Sequence, residues 1–352
     1  MSHANEYDFK TPVVRYYVDT RAYFSTGEYL PLIDRLPDEI QHAIRQYRRR
    51  PDRLMSLASA LLKYYFIHKS AKIPWSQVRV SRTPKPHSRP YWAPTSHAGS
   101  NNCVGLEFNV SHQAGLVVLV GCKTPHTPRD VRINDRSHLG IHSEAVINPD
   151  PMAVAVFESE IDEDEPEDVR IGVDIACTWE PPRTPDLSTR QKFAEWVEVF
   201  AEMFSPTEQM HMKDYQIDIP DGVSEHDEKA RRFYTYWALK EAYIKMVGEG
   251  LLASWLRDLE FRDVPVPARA ESELDQWTIL PNNTLSKMTV LFKNRDISNS
   301  MKTELEGFET HFVVATMSRG VTEIVDEEQR WESVDLEGAI RACAEETCSC
   351  LR

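Results

Sequence analysis

No apolar run in the 352 residues approaches the roughly 18–20 that cross a bilayer as a helix. The sequence therefore offers no membrane span. Glycine is scarce at 13 residues, and neither a Gly-x-Gly-x-x-Gly turn nor a P-loop is present. Motif-based dinucleotide binding and P-loop chemistry are thereby excluded. Positive charge is also short: 41 Lys and Arg stand against 55 Asp and Glu, a formal net charge of −14. That balance argues against nonspecific nucleic-acid binding. The segment Met1–Lys10 carries Glu6 and Asp8 and has no apolar core, unlike a secretory signal or an Arg-rich transit peptide. The expectation is a cytoplasmic chain with reduced thiols. Of its six cysteines, Cys103, Cys122 and Cys177 stand apart, while Cys343, Cys348 and Cys350 crowd the C-terminus. The tail alone lacks enough partners for a zinc site and matches no prenylation box, so free, oxidation-prone thiols are expected there.

What is present fits a soluble globular protein of two domains or one large one, with 41% apolar and 27% charged residues. Charge is unevenly spread. Residues 35–90 hold thirteen Lys and Arg against three acids, and residues 158–168 hold eight acids and no base. The basic segment suits phosphates; the acidic run reads as a solvated loop. Strands are predicted at Val13–Asp19, Val78–Arg82, Leu106–Val110, Leu116–Val120 and Val169–Ile175. Helices are predicted from Leu36, over Asp52–His68, Phe193–Phe204 and Arg231–Met246, and near Val334–Glu346. Four prolines between Pro84 and Pro94 predict a loop, and Met152–Phe157 a short strand. Leu259–Phe261, Trp277–Leu280, Met288–Phe292 and His311–Met317 read as further antiparallel strands, and Asp214–Glu228 as a polar stretch. Hairpin-connected strands mixed with helices in both halves give an α+β fold class. The division is into residues 1–168, including an acidic insertion at about 122–168, and residues 169–352.

Three places could carry chemistry. In the helix holding Trp237-Ala-Leu-Lys240-Glu241-Ala-Tyr-Ile-Lys245, residues 237, 241 and 245 share one face. A carboxylate and an ammonium one turn apart are also an ordinary surface pair. Ser111-His112-Gln113, read as a polar turn, is either a hydrogen-bonding cluster or an anion site. Asp174 lies inside an apolar strand, where an acid is costly unless paired or metal-bound. Together Asp174 and Glu241 would suffice to hold Mg²⁺ on a phosphate. Ser205 and Glu208 have capping-box spacing.

In order, Phe108-Asn-Val-Ser-His112-Gln, Gly172-Val-Asp174-Ile, Phe204-Ser-Pro-Thr-Glu208 and Trp237-Ala-Leu-Lys240-Glu241-Ala-Tyr-Ile-Lys245 resemble the 4'-phosphopantetheinyl transferases, in the eukaryotic, fungal form of the surfactin-synthetase-activating type. Ile73-Pro-Trp75 and Arg82-Thr83 belong to the likeness, which runs from about Arg15 to Asp263. It implies a pseudo-dimer of two similar α+β halves with coenzyme A in the cleft between them. The reaction it implies moves the phosphopantetheine arm of coenzyme A onto a carrier-domain serine, with Mg²⁺, releasing adenosine 3',5'-bisphosphate.

By that resemblance Asp174 and Glu241 bind the metal, Glu241 accepts the serine proton, and Lys245 stabilises the leaving group. Ser111 and His112 contact a coenzyme A phosphate. Ser56 and Arg82 match positions near the 3'-phosphate, and Arg89-Pro90 a Lys-Pro along the adenine. Lys240 is a lesser, supporting contact, since helical geometry turns it about 100° from Glu241. Ala176 stands where many bacterial members have an acid, so Gln113 is the candidate to complete the metal shell. The first helix has Ile40 and Ala43 where the bacterial pattern has lysines, leaving Arg45, Arg48, Arg49 and Arg50 to take over phosphate binding. Expected partners are acyl and peptidyl carrier domains of polyketide, nonribosomal peptide and fatty acid synthases and of aminoadipate reductase, served by a monomer. The helix of Phe193–Phe204 is a candidate docking surface. A Mg²⁺-dependent phosphohydrolase of coenzyme A or a nucleotide would use the same residues without a carrier, and a coenzyme A-binding protein would not need Glu241.

Overall fold

The computed structural model of the chain describes residues 10–11, 13–83, 89–94, 105–124, 169–180, 186–213, 219, 222–249, 253–270, 276–280, 282–323 and 331–351. The acidic run at 158–168, the strand expected at 152–157 and Cys103 lie outside them. No helix among the described residues is long and apolar enough to cross a membrane.

The first half builds a sheet under one long helix. Its elements are β1 (Val14–Asp19), α1 (Asp38–Arg45), α2 (Arg50–Ala71), β2 (Gly105–Gln113) and β3 (Leu116–Thr124). The antiparallel order is β1-β3-β2. Pro51 suits the first turn of α2, and Lys72 closes it in the left-handed region at φ 53°. The β2–β3 turn is only Ala114-Gly115, with φ of 48° and 92°. A two-residue hairpin turn of this kind lets pairing run to Gln113 opposite Leu116. Ser111, His112 and Gln113 are therefore strand residues and not the turn expected from their polarity. The predicted proline loop also needs correction. Pro90–Trp92 pairs with Val80–Arg82, and a proline opening an edge strand needs no N–H.

The second half repeats the plan. It contains β4 (Arg170–Cys177), α3 (Arg190–Val199), α4 (Pro206–Lys213), α5 (Glu225–Val247), β5 (Trp277–Ile279), β6 (Lys302–Phe308) and β7 (Phe312–Arg319). The sheet order is β4-β7-β6-β5, antiparallel throughout. Strand β6 has no counterpart among the predicted elements, because Glu304 and Glu306 interrupt its apolar character. Helix α5 starts six residues before the expected Arg231. The Ser224 hydroxyl accepts the Asp227 N–H at 3.0 Å, and Glu225, Asp227 and Glu228 favour the positive end of the helix. Gly248, at φ 85°, ends it.

Strand alternation sorts side chains into three cores. Val117 and Leu119 of β3 pack on α2, with Leu61, Leu62 and Phe66. Val118 and Val120, facing the other way, meet Val173 and Ile175 of β4 between the sheets. Val313, Ala315 and Met317 of β7 pack under Leu239 and Ala242 of α5. The layers run α2, first sheet, second sheet, α5, and both halves are α+β. Gly172 is required where α5 crosses β4, because a Cβ there would collide with the Ala242 carbonyl and the Met246 amide nitrogen.

The tail does not stay with the half it follows in sequence. Glu332–Ser333 adds a parallel strand to β1, and Leu336, Ile340 and Cys343 join the core beneath α2. Trp331 stacks on Trp277 with centroids 4.6 Å apart, and its Nε1–H donates to Glu306 Oε2 at 2.7 Å. Burial, then the Glu304 charge, pushes the Glu306 carboxyl up to about 7. The folded state thus keeps a proton that the unfolded chain, at its ordinary 4.5, has released. This contribution to stability is full below 4.5 and is lost as pH rises through about 7. Glu306→Gln should be more stable than the parent by up to about 3 kcal/mol near pH 8 and nearly equal near pH 4, read from urea midpoints.

Candidate active site

The two sheets meet where the edge of β4 lies over one face of β2. Because β4 is an edge strand, one row of its N–H groups has no strand partner. One face of β2 supplies the acceptors. Glu107 Oε1 accepts from Ile171 N at 3.1 Å, Asn109 Oδ1 from Val173 N at 3.2 Å, and Gln113 Oε1 from Cys177 N at 3.1 Å. These residues are two or four apart, so they share one side of the strand. Ser111, in the same row, instead donates its hydroxyl to Asp174 Oδ1 at 2.7 Å.

Asp174 is where the seam becomes a site. Lys245 of α5 places Nζ 2.6 Å from Asp174 Oδ1 and 2.9 Å from Ser111 Oγ. Glu241 lies one turn earlier on α5. Both carboxylates are buried, at 5% and 8% exposure for Asp174 and Glu241. Glu241 Oε1 has no hydrogen-bond partner among the described residues. Burial, followed by the Asp174 charge, raises the Glu241 pKa to about 7 against the opposing pull of Lys245. Two buried carboxylates thus lie near one ammonium, which is bonded to Asp174, and one Glu241 oxygen is left unsatisfied. That donor set fits a hard divalent cation such as Mg²⁺.

The other wall is cationic. Lys63 of α2 donates to Ser59 Oγ at 3.3 Å, and Ser56 lies on the same helix face. Crowding by protein, then the Arg82 charge, pushes the Lys63 ammonium down to about 8. His112 is exposed on one side but enclosed on the others. That desolvation, with Lys245 and Lys63 nearby, draws its pKa down to about 4, so the ring is neutral at pH 7. Cations gathered in this way suit an anion. Lys63 was not among the predicted residues. The available signal was a lone cation in an otherwise apolar stretch of helix between Arg53 and His68. Glu107 and Asn109 were missed too, although Glu107-x-Asn109-x-Ser111-x-Gln113 is a polar face alternating with Leu106, Phe108 and Val110.

Several predicted residues are engaged by other protein groups. Gln113, expected to ligate metal, spends its amide on Cys177 N and on Glu180, 3.2 Å away. Arg89 is buried in the seam, paired with Glu107 and donating to the Ile171 carbonyl at 3.2 Å. Pro90 stands beside it in the short strand. Arg50 donates to the carbonyls of Tyr23 and Tyr29, and Arg45 to Gln41. Phe193 and Val197 of the proposed docking helix are core residues.

Lys240 is not at the site. It is fully buried, 2.9 Å from Glu208 Oε2 and 3.0 Å from the Leu256 carbonyl, between the rings of Phe204 and Phe261. Glu208 completes the expected capping box, accepting from Ser205 N at 2.7 Å while the Ser205 hydroxyl accepts from Glu208 N at 3.2 Å. Its other oxygen accepts from Phe261 N at 2.9 Å. This node ties α4, α5 and the strand Leu259–Arg262 together. Lys240→Met should cost about 3–5 kcal/mol by stranding the Glu208 charge, with the KM for coenzyme A unchanged at a temperature where the variant is folded. Adding Glu208→Gln should recover much of that loss in denaturant melts.

Residues 24–124 match the family described as "4'-phosphopantetheinyl transferase, N-terminal", and residues 170–288 match the "4'-phosphopantetheinyl transferase superfamily". The chain is 36% identical to 4'-phosphopantetheinyl transferase A of Aspergillus fumigatus, over 97% of this chain and 96% of the relative. It is 31% identical to 4'-phosphopantetheinyl transferase NpgA of Emericella nidulans, over 96% of each. It is 25% identical to the L-aminoadipate-semialdehyde dehydrogenase-phosphopantetheinyl transferase of Schizosaccharomyces pombe, over 69% of this chain and 70% of the relative. With both halves matched, and with near-complete coverage at that identity, the chain belongs to the 4'-phosphopantetheinyl transferase superfamily.

Proposed function

We propose that this chain transfers the 4'-phosphopantetheine arm of coenzyme A to a serine hydroxyl of an acyl or peptidyl carrier domain. Adenosine 3',5'-bisphosphate is the other product. The observation that carries the reading is the buried Asp174–Glu241 pair, with Lys245 bonded to Asp174 and an unpartnered Glu241 oxygen, at the seam between the halves. The transferase names of the relatives support it, and nothing observed favours the phosphohydrolase.

Lys63, His112 and Lys245 line the anion side, where the pyrophosphate lies between the two helices. Ser56 and Arg82 are the proposed contacts of the 3'-phosphate. Asp174 and Glu241 would hold Mg²⁺, which would supply charge neutralisation at the pyrophosphate. The carrier serine oxygen attacks the phosphorus that bears the pantetheine. The bond from that phosphorus to the bridging oxygen of the nucleotide breaks. Glu241 takes the serine proton. Lys245 sits within reach of the departing oxygen, and His112, neutral, donates a hydrogen bond without competing for the proton. Carriers of polyketide and nonribosomal peptide synthases, of fatty acid synthase and of aminoadipate reductase are the proposed clients of a cytoplasmic monomer.

An apo carrier domain incubated with the chain, coenzyme A and Mg²⁺ should gain about 340 Da by intact-mass spectrometry, and EDTA should abolish the gain. Glu241→Gln should slow transfer by roughly 10²–10⁴-fold while coenzyme A still binds; near-normal transfer would remove Glu241 from the role of base. Lys63→Ala should raise the KM for coenzyme A roughly tenfold or more, by loss of about 1.5–3 kcal/mol of charge-assisted hydrogen bonding, with a smaller change in kcat.

A further inference from the structure

One imidazole and three thiols converge where the C-terminal tail meets the end of α2, behind the helix that carries Lys63. His68 is fully buried, Cys343 is buried, and Cys348 and Cys350 are half-buried. One ligand atom from each of the four lies within 4.8 Å of every other. His68 Nε2 is 3.2 Å from Cys348 Sγ, and Cys343 Sγ is 3.7 Å from Cys350 Sγ.

The details suit a metal better than a disulfide. Bonded sulfurs lie about 2.05 Å apart. Two thiolates on a tetrahedral zinc, each at about 2.3 Å, are held about 3.8 Å apart. His68 Nδ1 lies 2.7 Å from the Ile73 carbonyl oxygen, which can only accept. The proton is therefore on Nδ1, and Nε2 turns its lone pair toward the sulfurs, in the orientation of a metal-bound histidine. The backbone is shaped to the same end. Glu346, a non-glycine residue, adopts φ 55°, and the N–H groups of Thr347 and Cys348 both donate to the Ala342 carbonyl, at 2.9 and 3.1 Å. This reversal folds Cys348 and Cys350 back onto Cys343. The tail cysteines were expected to lack a partner; the partner is His68, 275 residues before the first of them.

We propose that His68, Cys343, Cys348 and Cys350 form a tetrahedral site for a structural zinc ion that clamps the C-terminal tail to α2. All four positions are filled by protein, which leaves no open coordination site for chemistry. Soft thiolates favour zinc over the hard cation suited to Asp174 and Glu241. Binding releases the three thiol protons to solvent, so occupancy increases with pH.

The test uses the full chain, purified with reductant and without added metal, and read by elemental mass spectrometry. Zinc at about one equivalent per chain is expected. It should be retained in Asp174→Asn and lost in the half-buried double variant Cys348→Ser/Cys350→Ser. Replacement of the metal by Co²⁺ in the parent chain should give thiolate-to-cobalt charge-transfer absorption and the intense visible bands of tetrahedral coordination, a readout that needs no variant. A parent chain that keeps no zinc after incubation with one equivalent and dialysis would overturn the proposal. So would a Co²⁺ spectrum without thiolate bands, zinc undiminished in the double variant, or an unreduced mass two hydrogens lighter from a Cys343–Cys350 disulfide.

Discussion

An unpaired strand edge organises this molecule. The β4 edge carries N–H groups that water or another strand would otherwise satisfy, and leaving them buried and unpaired would cost about 1–3 kcal/mol each. Here Glu107, Asn109 and Gln113 cap them from β2 through side chains. Side-chain capping holds the two sheets farther apart than a backbone ladder would. Where the row reaches Ser111 the pattern breaks: the hydroxyl turns to Asp174, and the seam opens into a site. The halves are joined by the same row of residues that positions the metal-binding candidate.

The two long helices follow from that arrangement. Each covers the outer face of its own sheet, and each sends cations toward the seam, Lys63 from α2 and Lys245 from α5. Gly172 lets α5 lie directly on β4, which sets the height of Glu241 over Asp174. The opposite side of α5 is held by Lys240 and Glu208. A fully buried lysine beside a fully buried glutamate is tolerable because both are saturated with backbone partners. Residues only one position apart in the chain, Lys240 and Glu241, thus do opposite jobs: one holds the helix in place, and the other reaches the cleft.

The strength of a motif does not say which of its residues perform chemistry. Phe204-Ser-Pro-Thr-Glu208 and Lys240 are among the most distinctive positions in the sequence, yet they are structural. Helical geometry separated Lys240 from Glu241 by about 100°, which was enough to demote it but not to find Glu208. The capping box was legible because its two hydrogen bonds are local. The pairing of Glu208 with Lys240 was not, because they stand 32 positions apart in the chain. Gln113 depends on distance in the same way: its place in the row of β2 brings its amide to Cys177 and Glu180 across the seam.

What the sequence determined by itself is what depends on neighbours along the chain. Helical and strand periodicity placed α2, α5 and the β2–β3 hairpin, the caps began α4, and the spacing of Glu241 and Lys245 put them on one face. The ordered motifs brought the family into view. Only the tertiary structure decided what depends on distance in space. It joined Ser111 to Asp174 across 63 residues and Lys245 to Asp174 across 71. It placed Lys63 opposite them, carried the C-terminal tail back under α2, and set His68 among three tail cysteines. A side chain's polarity states that it needs a partner. Which partner it receives is settled by how sheets and helices pack, and the packing answers to the burial of the whole apolar surface and not to any one pair.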